Sequence, residues 1–121
     1  DAYPHELSGG MAKRVLIATA LATGADYLIA DEPTLGLDPA AADRIMALFA
    51  RLAGEGRGIL VISHDLPRLV TIARRITILC EGRPVETADA ADFPGGRLQQ
   101  PFSRQLWEAQ FWDAQVRSAP C

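Results

Sequence analysis

The chain has 121 residues, 49% of them hydrophobic, with twelve basic and fifteen acidic side chains and a formal net charge of −3. That composition suits one soluble, globular domain with a packed core; it argues against a disordered chain and leaves no basic footprint for nucleic acid. The longest apolar runs, Val15 to Ala22 and Gly58 to Ile62, fall far short of a bilayer span, and no charged-then-apolar leader is visible, so neither a transmembrane segment nor a signal peptide is expected.

In chain order, Ser8 is a good N-cap, and Met11, Val15, Ala18 and Ala22 recur at helical spacing until Gly24, which predicts a helix over residues 9–23. Tyr27 to Ala30 is a short apolar run bounded by loop residues, the pattern of a parallel strand covered on both faces, with Asp31 and Glu32 at its carboxyl end. Asp38 and Pro39 open a second helix, in which Ala41, Ile45, Leu48, Phe49 and Leu52 line one face until Gly54. A second strand follows over Ile59 to Ile62. Asp65 and Pro67 start a third helix through about Arg74, and Ile76 to Cys80 is a third strand. This αβαβαβ alternation predicts a layered α/β fold with parallel strands and flanking helices.

Beyond Cys80 the pattern changes. Glu81 to Pro84 is a turn and Val85 begins a short return strand, which predicts a hairpin followed by a loop over residues 88–96 rich in Ala, Asp, Pro and Gly. From Ser103, the residues Leu106, Trp107, Gln110, Phe111 and Ala114 form one stripe of a final helix, with its aromatic rings expected to pack, Trp112 among them. Cys80 and Cys121 lack metal-ligand spacing and are expected to be incidental thiols of a reducing compartment.

Three segments carry chemistry. In Leu7-Ser8-Gly9-Gly10-Met11 a glycine turn opens a helix, where backbone N–H groups and the positive end of the helix dipole favour an anion; alone, such a turn is usually only a cap. Tyr27-Leu28-Ile29-Ala30-Asp31-Glu32-Pro33 is an apolar strand ending in two carboxylates. Strand-end carboxylates are ordinarily just solvated, yet phosphoryl transfer needs one group to help hold Mg²⁺ and another to orient the attacking water. Val61-Ile62-Ser63-His64-Asp65 places a histidine at the end of the next strand, and the ends of parallel strands gather on one sheet edge. His5, in a loop beside Pro4, is given no chemical role.

Together these segments resemble the signature, Walker B and switch-histidine segments of an ATP-binding cassette (ABC) ATPase, a P-loop NTPase. The resemblance implies that Ser8 and the backbone of Gly9 and Gly10 face the γ-phosphate of ATP held by a second ABC ATPase subunit. It implies that Asp31 is on the Mg²⁺ side, that Glu32 is the general base and that His64 hydrogen-bonds the γ-phosphate. Thr34 to Asp38 takes the place of the D-loop, so Asp38 combines a nucleotide-site role with its helix cap. Met11 stands where many members have Gln, and Leu35 where Ser is commoner. Tyr3-Pro4-His5-Glu6 and Gln100-Pro101-Phe102-Ser103-Arg104-Gln105-Leu106-Trp107 are similar to segments in ATP-binding subunits of bacterial dipeptide, oligopeptide and nickel importers, although Gln100 and Phe102 depart from that pattern.

No Gly-x-x-x-x-Gly-Lys-Ser/Thr occurs in the chain, so the Walker A strand and loop that would hold the nucleotide's own phosphates are missing. The sequence therefore reads as the C-terminal half of a cassette, with residues 1–96 as ATPase domain and 97–121 as a helical tail. Three functions stay open. The parent is an ATPase energising uptake of peptides or nickel through transmembrane permease subunits, as a peripheral protein on the cytoplasmic face of the bacterial inner membrane; or it is a soluble, non-transport ABC ATPase; or the chain is a non-catalytic fragment or remnant, since by itself it is expected to be inactive.

Overall fold

A computed structural model describes residues 9–111, and the chain falls into two units, Asp1–His64 and Asp65–Cys121. In the first, α1 (Gly9–Ala22) is closed by N–H groups of Thr23 and Gly24 bonded to the carbonyls of Ala20 and Leu21 at 3.3 and 3.0 Å. Gly24 sits at φ 76°, a conformation that a side chain would strain. The helix is apolar almost all round, so its sequence does not single out one face. Ile17 is its one buried residue, whereas Met11 and Val15 are each 51% exposed. The expected stripe of Met11, Val15, Ala18 and Ala22 is thus not the packed face.

The strand β1 (Tyr27–Asp31), the helix α2 (Pro39–Gly54) and the strand β2 (Gly58–Ile62) form a βαβ unit. The strands are parallel, in a register running from Tyr27 opposite Gly58 to Asp31 opposite Ile62. Asp38 caps α2 by accepting the Ala41 N–H at 2.7 Å, and Pro39 fits the first turn, where no N–H is needed. Ala41, Ala42, Ile45, Met46, Phe49 and Leu52 bury one stripe of α2, with Ile45 wholly inaccessible. This stripe packs on α1 and β2. The helix runs through Gly54, and the left-handed residue that stops it is Gly56, at φ 93°.

The sheet of this unit departs from the expectation of strands covered on both faces. Tyr27, Ile29, Leu60 and Ile62 are 79%, 70%, 57% and 47% exposed, and register puts them on one side. The Tyr27 ring lies so close over Gly58 that a Cβ there would collide with it. A two-stranded parallel sheet with one helix layer has only enough partners for one face.

In the second unit, α3 (Leu66–Ile72) is capped by Asp65, which accepts the Arg68 N–H at 3.3 Å and pairs with its guanidinium at 2.7 Å. The strands β3 (Arg75–Cys80) and β4 (Arg83–Asp89) then form an antiparallel hairpin. Its two-residue turn, Glu81-Gly82, has both φ values positive, 50° and 75°, as a type I′ turn requires. The hairpin expected from the turn is therefore present, whereas the reading of Ile76 to Cys80 as a third parallel strand is corrected: among the described residues it pairs with β4 alone, in a second two-stranded sheet. A tight turn lets it find a neighbour locally, without a crossover. The return strand is also longer than expected, helped by a 2.8 Å hydroxyl contact between Thr77 and Thr87.

A short 3-10 turn (Ala90–Asp92) and buried Phe93 and Leu98 lead to α4 (Pro101–Glu108), which begins two residues before Ser103. Trp107 meets Phe93 and Phe111 edge-on, at centroid distances of 5.9 and 5.0 Å, although Phe111 stays 65% exposed. Trp112 and Ala114, assigned to the same helix by spacing, lie outside the described residues. Cys80 is disulfide-bonded, which corrects the expectation of a thiol. Among the described residues no helix is long and apolar enough to cross a membrane.

Burying one large apolar side chain contributes roughly 1.5–3 kcal/mol, against a total stability of about 5–15 kcal/mol. The bare face of β1 and β2 is therefore expected to drive self-association of the 121-residue chain, and the double change Ile29→Ser, Leu60→Ser to reduce it. Size-exclusion chromatography with light scattering checks this; a parent chain that stays monomeric at high concentration would refute it.

Candidate functional site

Because β1 and β2 run the same way and in register, their carboxyl ends deliver two short segments to one edge. Asp31 ends β1 opposite Ile62. Glu32 adds one more rung, its N–H donating to the Ile62 carbonyl at 2.7 Å. It then leaves the strand in a left-handed conformation, φ 47°. Its carbonyl accepts the Leu35 N–H at 3.2 Å, closing a tight turn, and lies 3.5 Å from the Lys13 ammonium of α1.

That turn brings the Glu32 Oε1 to 3.0 Å from Nδ1 of His64, two residues past the end of β2. A carboxylate can only accept, so Nδ1 donates, and in the neutral ring the proton is fixed on Nδ1. The His64 side chain is 74% exposed and that of Glu32 31%. An exposed pair of this kind contributes about 0–1 kcal/mol, whereas a non-glycine residue held left-handed costs on the order of 1–3 kcal/mol. Stability alone does not explain the arrangement, which is typical of strain kept at a working site.

The other residues singled out from the sequence are distributed as follows. Asp31 is exposed at the strand end and lies on the same sheet face as Ile29. Gly9 and Gly10 begin α1. A Cβ on Gly9 would come within 3.2 Å of Leu37, and one on Gly10 within 3.1 Å of Ala41, so these glycines let the helix start approach the loop before α2 and the first turn of α2 itself. Asp38 uses its carboxylate as the α2 cap. Ser8 lies outside the described residues.

Among the described residues, no group of three or more His, Cys, Asp or Glu side chains is placed to hold a metal ion. Mg²⁺ is commonly bound by one or two carboxylates together with phosphate oxygens and water, so a lone strand-end carboxylate such as Asp31 suits a shared site. Sequence reading missed the proximity of Lys13 to Glu32 and the backbone conformation of Glu32. The basic pair Lys13-Arg14 was visible, but its proximity to residue 32 depends on packing.

The family model described as ABC transporter matches residues 1–35. The dipeptide transport ATP-binding protein DppD of Escherichia coli is 44% identical over 111 residues, which is 90% of this chain and 33% of that protein. The chain belongs to the ABC ATPase family. A probable peptide ABC transporter ATP-binding protein of Sinorhizobium fredii is 40% identical over 86% of the chain and 31% of its own length. This ABC chain thus spans about a third of the curated relatives it matches. Among solved structures, cbiO1 of Clostridium perfringens, part of the ABC transporter complex cbiONQ, superposes with a TM-score of 0.73 at 33% identity, over 80% of this chain and 39% of that one. A dimeric ATP-binding cassette bound to ADP and Pi superposes at 0.63, also with 33% identity, over 72% of this chain and 38% of that one. The fold is that of ABC cassettes, the P-loop NTPase class expected from the sequence.

The hydrogen bond to Glu32 predicts that neutral His64 is mainly the Nδ1–H tautomer, and that Glu32→Ala returns it toward Nε2–H. Long-range ¹H–¹⁵N correlation spectra of the imidazole test this. An unchanged tautomer ratio in the variant would show that Glu32 does not orient the ring.

Proposed function

We propose that this chain is part of the ATP-binding and hydrolysing subunit of an ABC importer, with the Glu32–His64 pair at the paired strand ends as its catalytic centre. The 3.0 Å contact carries the reading. It joins a potential base to a ring that can face an anion, at the sheet edge where α/β folds bind ligands. Similarity to peptide transport ATP-binding proteins supports peptides as the imported class.

In this reading Asp31 is the carboxylate toward Mg²⁺, whose charge, when the ion is bound with ATP, neutralises charge developing on the phosphates. Glu32, turned off its strand, accepts a hydrogen bond from the attacking water and then its proton. His64 donates Nδ1–H to Glu32. For Nε2 to donate to a phosphate oxygen at the same time, the ring must carry both protons, because a neutral imidazole has one donor and one acceptor. Ser8 and the Gly9 and Gly10 backbone face ATP bound to the second subunit of a dimer, and Asp38 holds the intervening loop. Transmembrane permease subunits are the other partners, which places the protein on the cytoplasmic face of the bacterial inner membrane. Residues 1–96 are the ATPase portion and 97–121 the tail.

The absence of a phosphate-loop motif from these 121 residues supports a further expectation, that the chain alone does not bind Mg²⁺-ATP at micromolar concentration. Calorimetric titration checks it directly. In a full-length protein containing this sequence and assembled with its partners, Glu32→Gln is expected to slow single-turnover hydrolysis by about a hundredfold to ten-thousandfold while leaving ATP binding largely intact. An unchanged rate would remove Glu32 from the role of base.

A further inference from the structure

The segment Gln100 to Trp107, singled out in the sequence, belongs to the second unit, and its start is held by a contact from β4. Gln100 is the N-cap residue of α4 but makes no side-chain cap. The acceptor comes instead from β4. One Glu86 oxygen, Oε1, accepts the Gln99 N–H at 2.6 Å, and the other, Oε2, accepts the Gln100 N–H at 3.3 Å. Arg104, one turn into α4, donates to the carbonyls of Leu98 and Gln99 at 2.7 and 3.1 Å, closing the same loop from the other side.

Glu86 reaches this position because β4 carries an irregularity. Pro84 opposes Leu79, but Glu86 opposes Ile78, so Val85 is extra. Without that residue Val85 would face Ile78, and Glu86 would turn to the other side of the hairpin. Pro84 cannot donate to the ladder, which favours a break there. With the bulge, Glu86 shares a face with buried Ile78, and a carboxylate is thus aimed inward on an otherwise apolar face.

We propose that Glu86 is a latch, an inward carboxylate re-aimed by the β4 bulge that closes the N-terminus of α4 and fixes residues 99–108 to the β3–β4 hairpin. The helix dipole adds to the two backbone N–H groups, since its positive end favours an anion. Burial raises the Glu86 pKa, but the nearby Ser103 hydroxyl, the Gln99 and Gln100 N–H groups and the Arg104 charge outweigh it and hold it below its ordinary value of 4.5. The latch is therefore charged at neutral pH. Ser103 Oγ is itself fully buried and has no hydrogen-bond partner of good geometry, although it lies close enough to the carboxylate to favour its charged form. A leucine or valine at position 86 would fill the face and leave the helix start uncapped. Nothing in this proposal uses nucleotide, so it stands or falls apart from the importer reading.

Hydrogen exchange with mass spectrometry on the 121-residue chain tests it. Glu86→Ala is expected to speed exchange of amides 99–108 by about tenfold or more, as loss of charge-assisted hydrogen bonds would, while amides of α2 keep their protection. Glu86→Gln keeps the shape and one acceptor oxygen, and is expected to give a smaller, intermediate acceleration confined to the same residues. It also covers the case in which the alanine variant does not fold. Unchanged protection of 99–108 in both variants would overturn the latch, and so would a loss spread equally over α2, which would mark Glu86 as a general stability residue.

Discussion

The in-register parallel pairing of β1 with β2 is the constraint on which the site depends. It sets Asp31 beside Ile62, and the Glu32 N–H extends the ladder by one bond to the Ile62 carbonyl at 2.7 Å. A slip of one residue would reverse the facing of every side chain on β2 and take His64 out of reach of Glu32. The buried stripe of α2 holds the register by packing on β2, and Asp38 fixes where that helix begins. The geometry of that edge therefore rests on the packing of an apolar helix face.

Much of this was legible in the residues. The α2 stripe, its Asp38-Pro39 start and the two short apolar strands follow from period and capping alone. Candidate groups could also be named, because a carboxylate pair and a histidine at successive strand ends of a parallel sheet must share an edge. Local sequence could not reveal that Glu32 is left-handed, since glutamate has no preference for that region and the conformation is imposed by the ladder on one side and the Leu35 turn on the other. Lys13 belongs to the same class, being near Glu32 only after α1 is in place.

In the second unit the expected hairpin is present, and what differs is the pairing partner of its first strand. A run such as Ile76 to Cys80 is compatible with either strand direction, and the alternation before it favoured a parallel partner. The deciding signal was Glu81-Gly82, whose left-handed turn sends the chain straight back. The role of Glu86 was equally hidden, because one extra residue in β4 moves it from the outer to the inner face. In α1 the difficulty was the reverse. A helix apolar on most sides offers several possible stripes, and only its actual neighbours select Ile17.

The backbone of Glu32 sets local conformational preference against the side chain found at that position. At φ 47° a glycine or asparagine would sit with less strain, so drift toward greater stability would erode the acidic group there. β-branched residues are disfavoured more strongly still. The range of side chains that this position can sample is thereby narrow, and a glutamate found there marks a compromise in which local conformational comfort is given up to keep a carboxylate beside a histidine.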